Sequence, residues 1–205
     1  MRVAATIVPG MTLADLVAAV AAERGEAVVV TGPGAVAGAL YQTNPESPTL
    51  YNMELAYATP VALGIALMTG DRRVIALEGD GSMLAGLGGL ATIARYRPQN
   101  LVVVVIENGI YGTGDNSVPT QSGLGADLAA VALALGWPPV DVRRAATADE
   151  LRAAIADEGE GPRLIVASVD RASYAPSAGR ARPGLDVVES AVLLRRHLEG
   201  RATSS

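Results

Sequence analysis

Read for the period of its apolar positions, the chain breaks into alternating strands and helices. Two runs, Arg73-Val74-Ile75-Ala76-Leu77 and Leu101-Val102-Val103-Val104-Val105-Ile106, are almost continuously apolar and rich in β-branched residues. That is the pattern of strands buried on both faces of a parallel sheet. Shorter runs over 27–31 and 163–169 read the same way, and 140–142 adds a strand after the break Gly136-Trp137-Pro138-Pro139. Between them the period becomes helical. Thr12 and Asp15 open a helix bearing Leu13, Leu16, Val17 and Val20, which Gly25 ends. A second helix runs from Gly34 to about Leu40, and 43–52 form a loop with a brief strand. A long helix carries Pro60 and Gly64. The helix after Ser82 places Met83, Leu84, Leu87, Leu90 and Ile93 in the core and ends at Arg95-Tyr96-Arg97-Pro98. Helices follow over 127–135 and from the capping box of Thr147 and Glu150 to about Ala156. A last helix bears Val187, Val188, Val192 and Leu193. This alternation predicts a three-layer α/β/α sandwich with a mostly parallel sheet. It forms one domain over residues 1–205, with 170–205 as a C-terminal extension and helix, and no internal repeat.

The two strongest strands empty into polar, glycine-rich turns, Gly79-Asp80-Gly81-Ser82 and Asn108-Gly109-Ile110-Tyr111-Gly112. The carboxyl ends of parallel strands are where ligands collect, because helix N-termini there turn free N–H groups toward the crevice. Gly79 and Gly81 let backbone approach a ligand, Asp80 is a hard oxygen ligand suited to magnesium, and Asn108 offers a neutral oxygen. Asp80 and Asn108 are 28 positions apart (108 minus 80), room for a helix and a return strand, so the two oxygens can meet at neighbouring strand ends. Ser82 opens a helix, where its N–H and hydroxyl can bind an anion. The first strand empties into Thr31-Gly32-Pro33-Gly34, where the N–H groups of Gly34 and Ala35 either contact an anion or simply form a turn. Gly112-Thr113-Gly114-Asp115-Asn116 is either a loop closing over a ligand or a surface loop.

Composition narrows the chemistry. The chain of 205 residues has no Cys, which removes disulfides, thiolate nucleophiles and thiolate metal sites. All sixteen basic residues are Arg, so no Lys serves a Schiff base or a P-loop, and a net charge of -5 argues against nucleic acid. The single His, His197, reads as a solvated or helix-end residue. No apolar run approaches the roughly 20 residues of a membrane span, and the first residues lack a signal-peptide pattern, so a cytoplasmic protein is expected.

The Gly-Asp-Gly turn, a spacer of this length and then Asn resemble the pyrophosphate-binding domain of thiamine diphosphate enzymes. The resemblance covers most of residues 12–199. It implies that Asp80, Asn108 and the main-chain carbonyl of Ile110 hold Mg2+ against the diphosphate, with Gly34, Gly79, Gly81, Ser82 and Tyr111 around the cofactor. The segment Met53-Glu54-Leu55-Ala56-Tyr57-Ala58-Thr59-Pro60-Val61-Ala62-Leu63-Gly64 resembles the family stretch in which a loop enters a long helix. Anchored on Pro60 and Gly64, it implies that Leu55 props the cofactor into its V shape and that the Met53 carbonyl accepts from the 4′-amino group. A register shifted by two makes Met53 the prop instead. Glu54 and Ala56 stand where the family usually has Gly, and Glu54 serves either the N-terminus of that helix or the substrate.

The Asn-Gly-x-Tyr-Gly sequence and the tail Gly179-Arg180-Ala181-Arg182-Pro183-Gly184 are similar to sulfopyruvate and phosphonopyruvate decarboxylases. The resemblance implies a thiamine diphosphate-dependent carboxy-lyase acting on a small anionic 2-oxoacid. The activating Glu belongs, in the family, to a separate pyrimidine-binding domain. The 205 residues are taken up by one unit, so a pyrimidine-binding α subunit and a hetero-oligomer are expected, this chain being the β subunit. Two alternatives remain, an acyl-transferring or carboligating thiamine enzyme subunit and a non-catalytic nucleotide-binding module.

Overall fold

The computed structural model describes residues 10–45, 48–112, 118–174 and 181–202, without the side chains of 201 and 202. Six strands, β1 (Val28–Thr31), β2 (Thr49–Leu50), β3 (Val74–Gly79), β4 (Leu101–Glu107), β5 (Val142–Ala145) and β6 (Arg163–Ser168), form one sheet in the order β2-β1-β3-β4-β6-β5. Every pairing is parallel. The helices are α1 (Leu13–Glu23), α2 (Ala35–Thr43), α3 (Ala58–Thr69), α4 (Asp80–Ala85), α5 (Gly88–Tyr96), α6 (Leu128–Ala134), α7 (Ala148–Ala156) and α8 (Val187–Ala202).

The unbroken apolar strands are explained by two separate cores. Along β4, Val102, Val104 and Ile106 face one side, packing with Leu16 and Val20 of α1, Leu40 of α2 and Leu151 of α7. Leu101, Val103 and Val105 face the other, with Ala62 of α3, Met83 of α4, Ile93 of α5 and Leu128 of α6. Because strand side chains alternate with period two, a strand covered on both faces must be apolar throughout. Three helices start where their N-caps predict. Thr12 with Asp15 and Thr147 with Glu150 form complete capping boxes, and Asp127 caps α6 by accepting from the Ala130 N–H at 3.0 Å.

Three boundaries and one helix face differ from expectation. The helix after Gly79 is two helices, broken at Gly86 and Leu87, where the chain at Ala56 comes so close that a Cβ on Gly86 would lie 3.0 Å from the Ala56 Cβ. The strand expected at 140–142 begins at Val142, since Pro139–Asp141 winds into a 3₁₀ turn whose Asp141 pairs with Arg97 at 2.8 Å. β5 is an edge strand bearing Arg143 and Arg144, charges that hide its strand character and protect the edge. On α8 the apolar Val188 and Leu193 are exposed. Ser190 and Leu194 face inward instead, and Ser190 Oγ accepts from the Tyr51 N–H at 3.2 Å. Finally, α2 runs on to Thr43. The stretch 113–116 and the pair Gly179-Arg180 lie outside the described residues.

Among the described residues no helix is long and apolar enough to cross a membrane.

Candidate functional site

The direction of the chain reverses between β1 and β3. From β1 it winds outward to β2, then crosses back to β3 and continues the other way. At such a switch point the loops leaving the carboxyl ends diverge and open a crevice. A cleft of about 210 Å³ lies there, lined from β1 by Gly34, from the 52–57 turn by Leu55, from β3 by Gly79, Asp80, Gly81 and Ser82, and from β4 by Asn108, Ile110 and Tyr111. Pro33, Ala35, Val36, Ile106, Gly112 and Tyr174 complete it.

Asp80 is the polar centre of this cleft, buried to 1% exposure. β3 and β4 are neighbours, with Gly79 opposite Ile106, so the two turns leave adjacent strand ends. The Asp80 carboxylate joins them. Its Oδ1 accepts from the Gly81 N–H at 2.8 Å, while its Oδ2 accepts from the Gly109 N–H at 3.0 Å, from the Thr120 hydroxyl at 2.8 Å and from the Ser122 hydroxyl. Burial pushes its pKa up, and these hydrogen bonds oppose the push. Asn108 is buried beside it, its Oδ1 accepting from the Ile110 N–H at 3.0 Å. A short antiparallel contact between Ile110 and Pro119 holds this turn through bonds from the Tyr111 N–H to Val118 and from the Thr120 N–H to Gly109. Ile110 itself is left out of both bonds.

The glycines divide by purpose. A Cβ on Gly79 or Gly34 would meet nothing within 4 Å, so each leaves backbone open to the cleft, and Gly34 has φ +97°, which side-chain-bearing residues rarely adopt. Gly81 is small for another reason. A Cβ there would lie 2.4 Å from the Tyr111 ring.

Ser82 lines the cleft, but its hydroxyl is committed elsewhere. It donates to Glu78 and accepts from the Ala56 N–H at 2.8 Å, so its proton is directed to Glu78 and not into the cleft. The Glu54 side chain is exposed near the N-terminus of α3, and its carbonyl accepts from the Tyr57 N–H at 3.0 Å. The carboxylate at that terminus is Glu78, whose Oε2 accepts from the Thr59 N–H at 2.8 Å and the Thr59 hydroxyl at 3.1 Å. Burial raises the pKa of Glu78, and it raises that of Glu107 beside Asn108, where Arg144 opposes the shift and Asp80 adds to it.

Leu55 is 47% exposed at the mouth of the cleft, whereas the Met53 side chain packs against the core beneath the sheet and does not line the cleft. Ala56 has φ +74° and Asn52 φ +55°. The left-handed backbone at Ala56 explains why a Gly suits that position. His197 is half-buried in a separate hollow with Tyr51 and Leu194, away from the cleft. The apolar pattern and motifs do not single out Thr120, Ser122 or Glu78. Their only sequence signal was small or acidic polar residues next to glycine turns, which marks loops in general.

A doubly wound parallel sheet with a glycine-lined, acidic cleft at its switch point defines a cofactor-binding α/β domain. Residues 34–167 match the family model described as thiamine pyrophosphate enzyme, C-terminal TPP binding domain, and the chain belongs to that family. Thiamine diphosphate is the cofactor of this domain. The chain is 35% identical over 142 residues to a phosphonopyruvate decarboxylase of Streptomyces hygroscopicus, covering 68% of this chain and 34% of the relative. It is 32% identical over 124 residues to sulfopyruvate decarboxylase subunit beta of Methanocaldococcus jannaschii, covering 60% of this chain and 65% of the relative. It thus spans about a third of the first relative and under two thirds of the second. Among solved structures, the thiamine diphosphate-dependent 4-hydroxybenzoylformate decarboxylase of Rhodococcus jostii superposes with a TM-score of 0.63 at 25% identity, over 83% of this chain and 34% of that one.

Proposed function

We propose that this chain is the β, or pyrophosphate-binding, subunit of a two-component thiamine diphosphate-dependent 2-oxoacid decarboxylase. Its substrate is a small anionic 2-oxoacid of the sulfopyruvate or phosphonopyruvate kind, as the names of the relatives suggest. The single observation that supports it most is the set of bonds on Asp80. Three donors saturate Oδ2, whereas Oδ1 takes one and keeps a lone pair directed elsewhere. All four donors are neutral, so the buried carboxylate calls for a cation.

Among the described residues no three His, Asp or Glu side chains are grouped to hold a metal. A mixed oxygen set of Asp80, Asn108 and the Ile110 carbonyl suits hard Mg2+, which keeps waters and takes further ligands from phosphates. Gly34, Gly79, Gly81, Ser82 and Tyr111 line the cleft and would hold the diphosphate, the first two through open backbone. Leu55 would orient the cofactor, and the Met53 carbonyl would be the acceptor for its amino group. When bound, thiamine diphosphate supplies the electron sink that loss of carbon dioxide from a 2-oxoacid requires. The chain binds, aligns and shields it, while a pyrimidine-binding partner brings the activating carboxylate. The exposed Leu55 and Tyr57 beside the cleft fit burial by that partner.

The test measures carbon dioxide release from a panel of 2-oxoacids, sulfopyruvate and phosphonopyruvate included, with Mg2+ and thiamine diphosphate. The chain is assayed alone and then with the protein of the adjacent reading frame. Turnover on mixing, lost with Asp80→Ala, is the expected result. Robust turnover by the chain alone refutes the two-component reading.

A further inference from the structure

Leu55 belongs to neither a helix nor a strand. It sits on the turn 52–57, and what holds that turn decides where Leu55 points. The entry is tied to the end of β1, where Thr31 Oγ1 accepts from the Asn52 N–H at 3.1 Å and the Thr31 carbonyl from the Met53 N–H at 2.9 Å. The exit is tied through a chain of side chains. The Ala56 N–H donates to Ser82 Oγ at 2.8 Å, the Ser82 hydroxyl donates to Glu78 Oε1, and Glu78 Oε2 holds the first turn of α3 through both donors of Thr59.

We infer that Glu78 is a positioning residue for the proposed reaction: wholly buried beneath the cleft, its carboxylate fixes the turn that carries Leu55, and through Leu55 the attitude of the cofactor. It does not line the cleft, and the inference rests on the role assigned to Leu55 above.

Three features favour this over a plain helix cap. First, Ala56 is held at φ +74°, a conformation unfavourable for any residue with a Cβ, which persists only where its surroundings impose it. The bond from its N–H to Ser82 is such a restraint. Second, two glycines make room for the link. A Cβ on Gly32 would lie 2.9 Å from Glu78 Oε1, and one on Gly86 3.0 Å from the Ala56 Cβ. Third, the polarity requires an acceptor-only group. Three donors converge on Glu78, two from Thr59 and one from Ser82. An amide of the same shape sets an NH2 against either Thr59 or the Ser82 hydroxyl, leaving a buried donor without an acceptor.

Glu78→Gln tests the link. In the isolated chain, hydrogen exchange at the Ala56 and Thr59 amides is expected to speed up at least about tenfold, with the β4 amides unchanged. In the assembled enzyme kcat falls about 10- to 100-fold through misplacement, while calorimetric affinity for thiamine diphosphate stays within about threefold. Adding Leu55→Ala to Glu78→Gln costs little further, because both act through one contact. Unchanged exchange, unchanged kcat, a parallel loss of affinity, or full additivity with Leu55→Ala each overturn the inference. If Glu78→Gln does not fold, Ser82→Ala cuts the same chain while leaving Glu78 on Thr59, and retained kcat there overturns it equally. A wild-type enzyme that neither binds the cofactor nor turns over refutes the proposed function instead, and the exchange experiment still decides on the link.

Discussion

Replacing Asp80 by Asn keeps the shape of the side chain and removes one charge. The amide oxygen must take the Oδ2 place, where three donors converge, because an NH2 there would face the Gly109 N–H and two hydroxyls. The NH2 then falls at the Oδ1 place, against the Gly81 N–H that Oδ1 accepts from at 2.8 Å. The lone pair proposed for the metal is gone. A unit charge about 4 Å from another is worth about 4 kcal/mol at an effective dielectric of about 20. Rehydration of the cation offsets part of that, and a loss of about 3 kcal/mol corresponds to about 100-fold weaker Mg2+-dependent cofactor binding. Calorimetry with thiamine diphosphate, with and without Mg2+, measures this directly. The pH dependence of stability supplies a second readout. Burial raises the folded pKa of Asp80 above its unfolded value of about 3.9, so the unfolded chain gives up its proton first. Between the two values the folded state binds more protons. Stability is therefore fully present below the unfolded pKa and falls as pH rises through the folded one. Urea unfolding from pH 4 to 8 without metal is expected to show a shallower decline for Asp80→Asn, with Glu78 and Glu107, also shifted up, keeping the remainder. Metal-dependent affinity within threefold of wild type would refute the role given to Asp80.

Leu55→Ala is expected to lower kcat more than cofactor affinity and to cost at most about 1 kcal/mol of stability, since the side chain is half exposed. Met53→Ala, whose side chain packs on the core, is expected to cost about 2 kcal/mol in urea unfolding. Its kcat should fall less than that of Leu55→Ala, and the reverse order assigns the prop to Met53, the shifted register. Ala56→Gly relieves the left-handed backbone and is expected to stabilise by up to about 1 kcal/mol, raising the melting temperature by a few degrees. A lower melting temperature would show that the methyl contact with Gly86 outweighs the strain.

The sequence by itself determined the architecture and the location of the cleft. Continuous β-branched runs can be satisfied only by strands covered on both faces, and glycine turns immediately behind two of them mark the carboxyl edge. The capping boxes at Thr12 and Thr147 are local, three residues apart, and were legible for that reason. Boundaries differ where a local rule meets a distant neighbour, as at Gly86, where a helix ends against Ala56, thirty positions away (86 minus 56). Only the tertiary structure decided how the polar groups of the cleft are partnered. Thr120 and Ser122 reach Asp80 from 40 and 42 residues along the chain, and Glu78 reaches Thr59 from 19. The identity of a hydrogen-bond partner depends on what the fold brings within about 3 Å. Apolar period records which face of an element is covered; it does not record which of many small polar residues ends up buried against a carboxylate. The same reason turned Ser82 inward. Just past the end of a strand its type suits a ligand, but the fold sets the buried carboxylate of Glu78 beside it, and Oε1 of that carboxylate takes the hydroxyl as its donor.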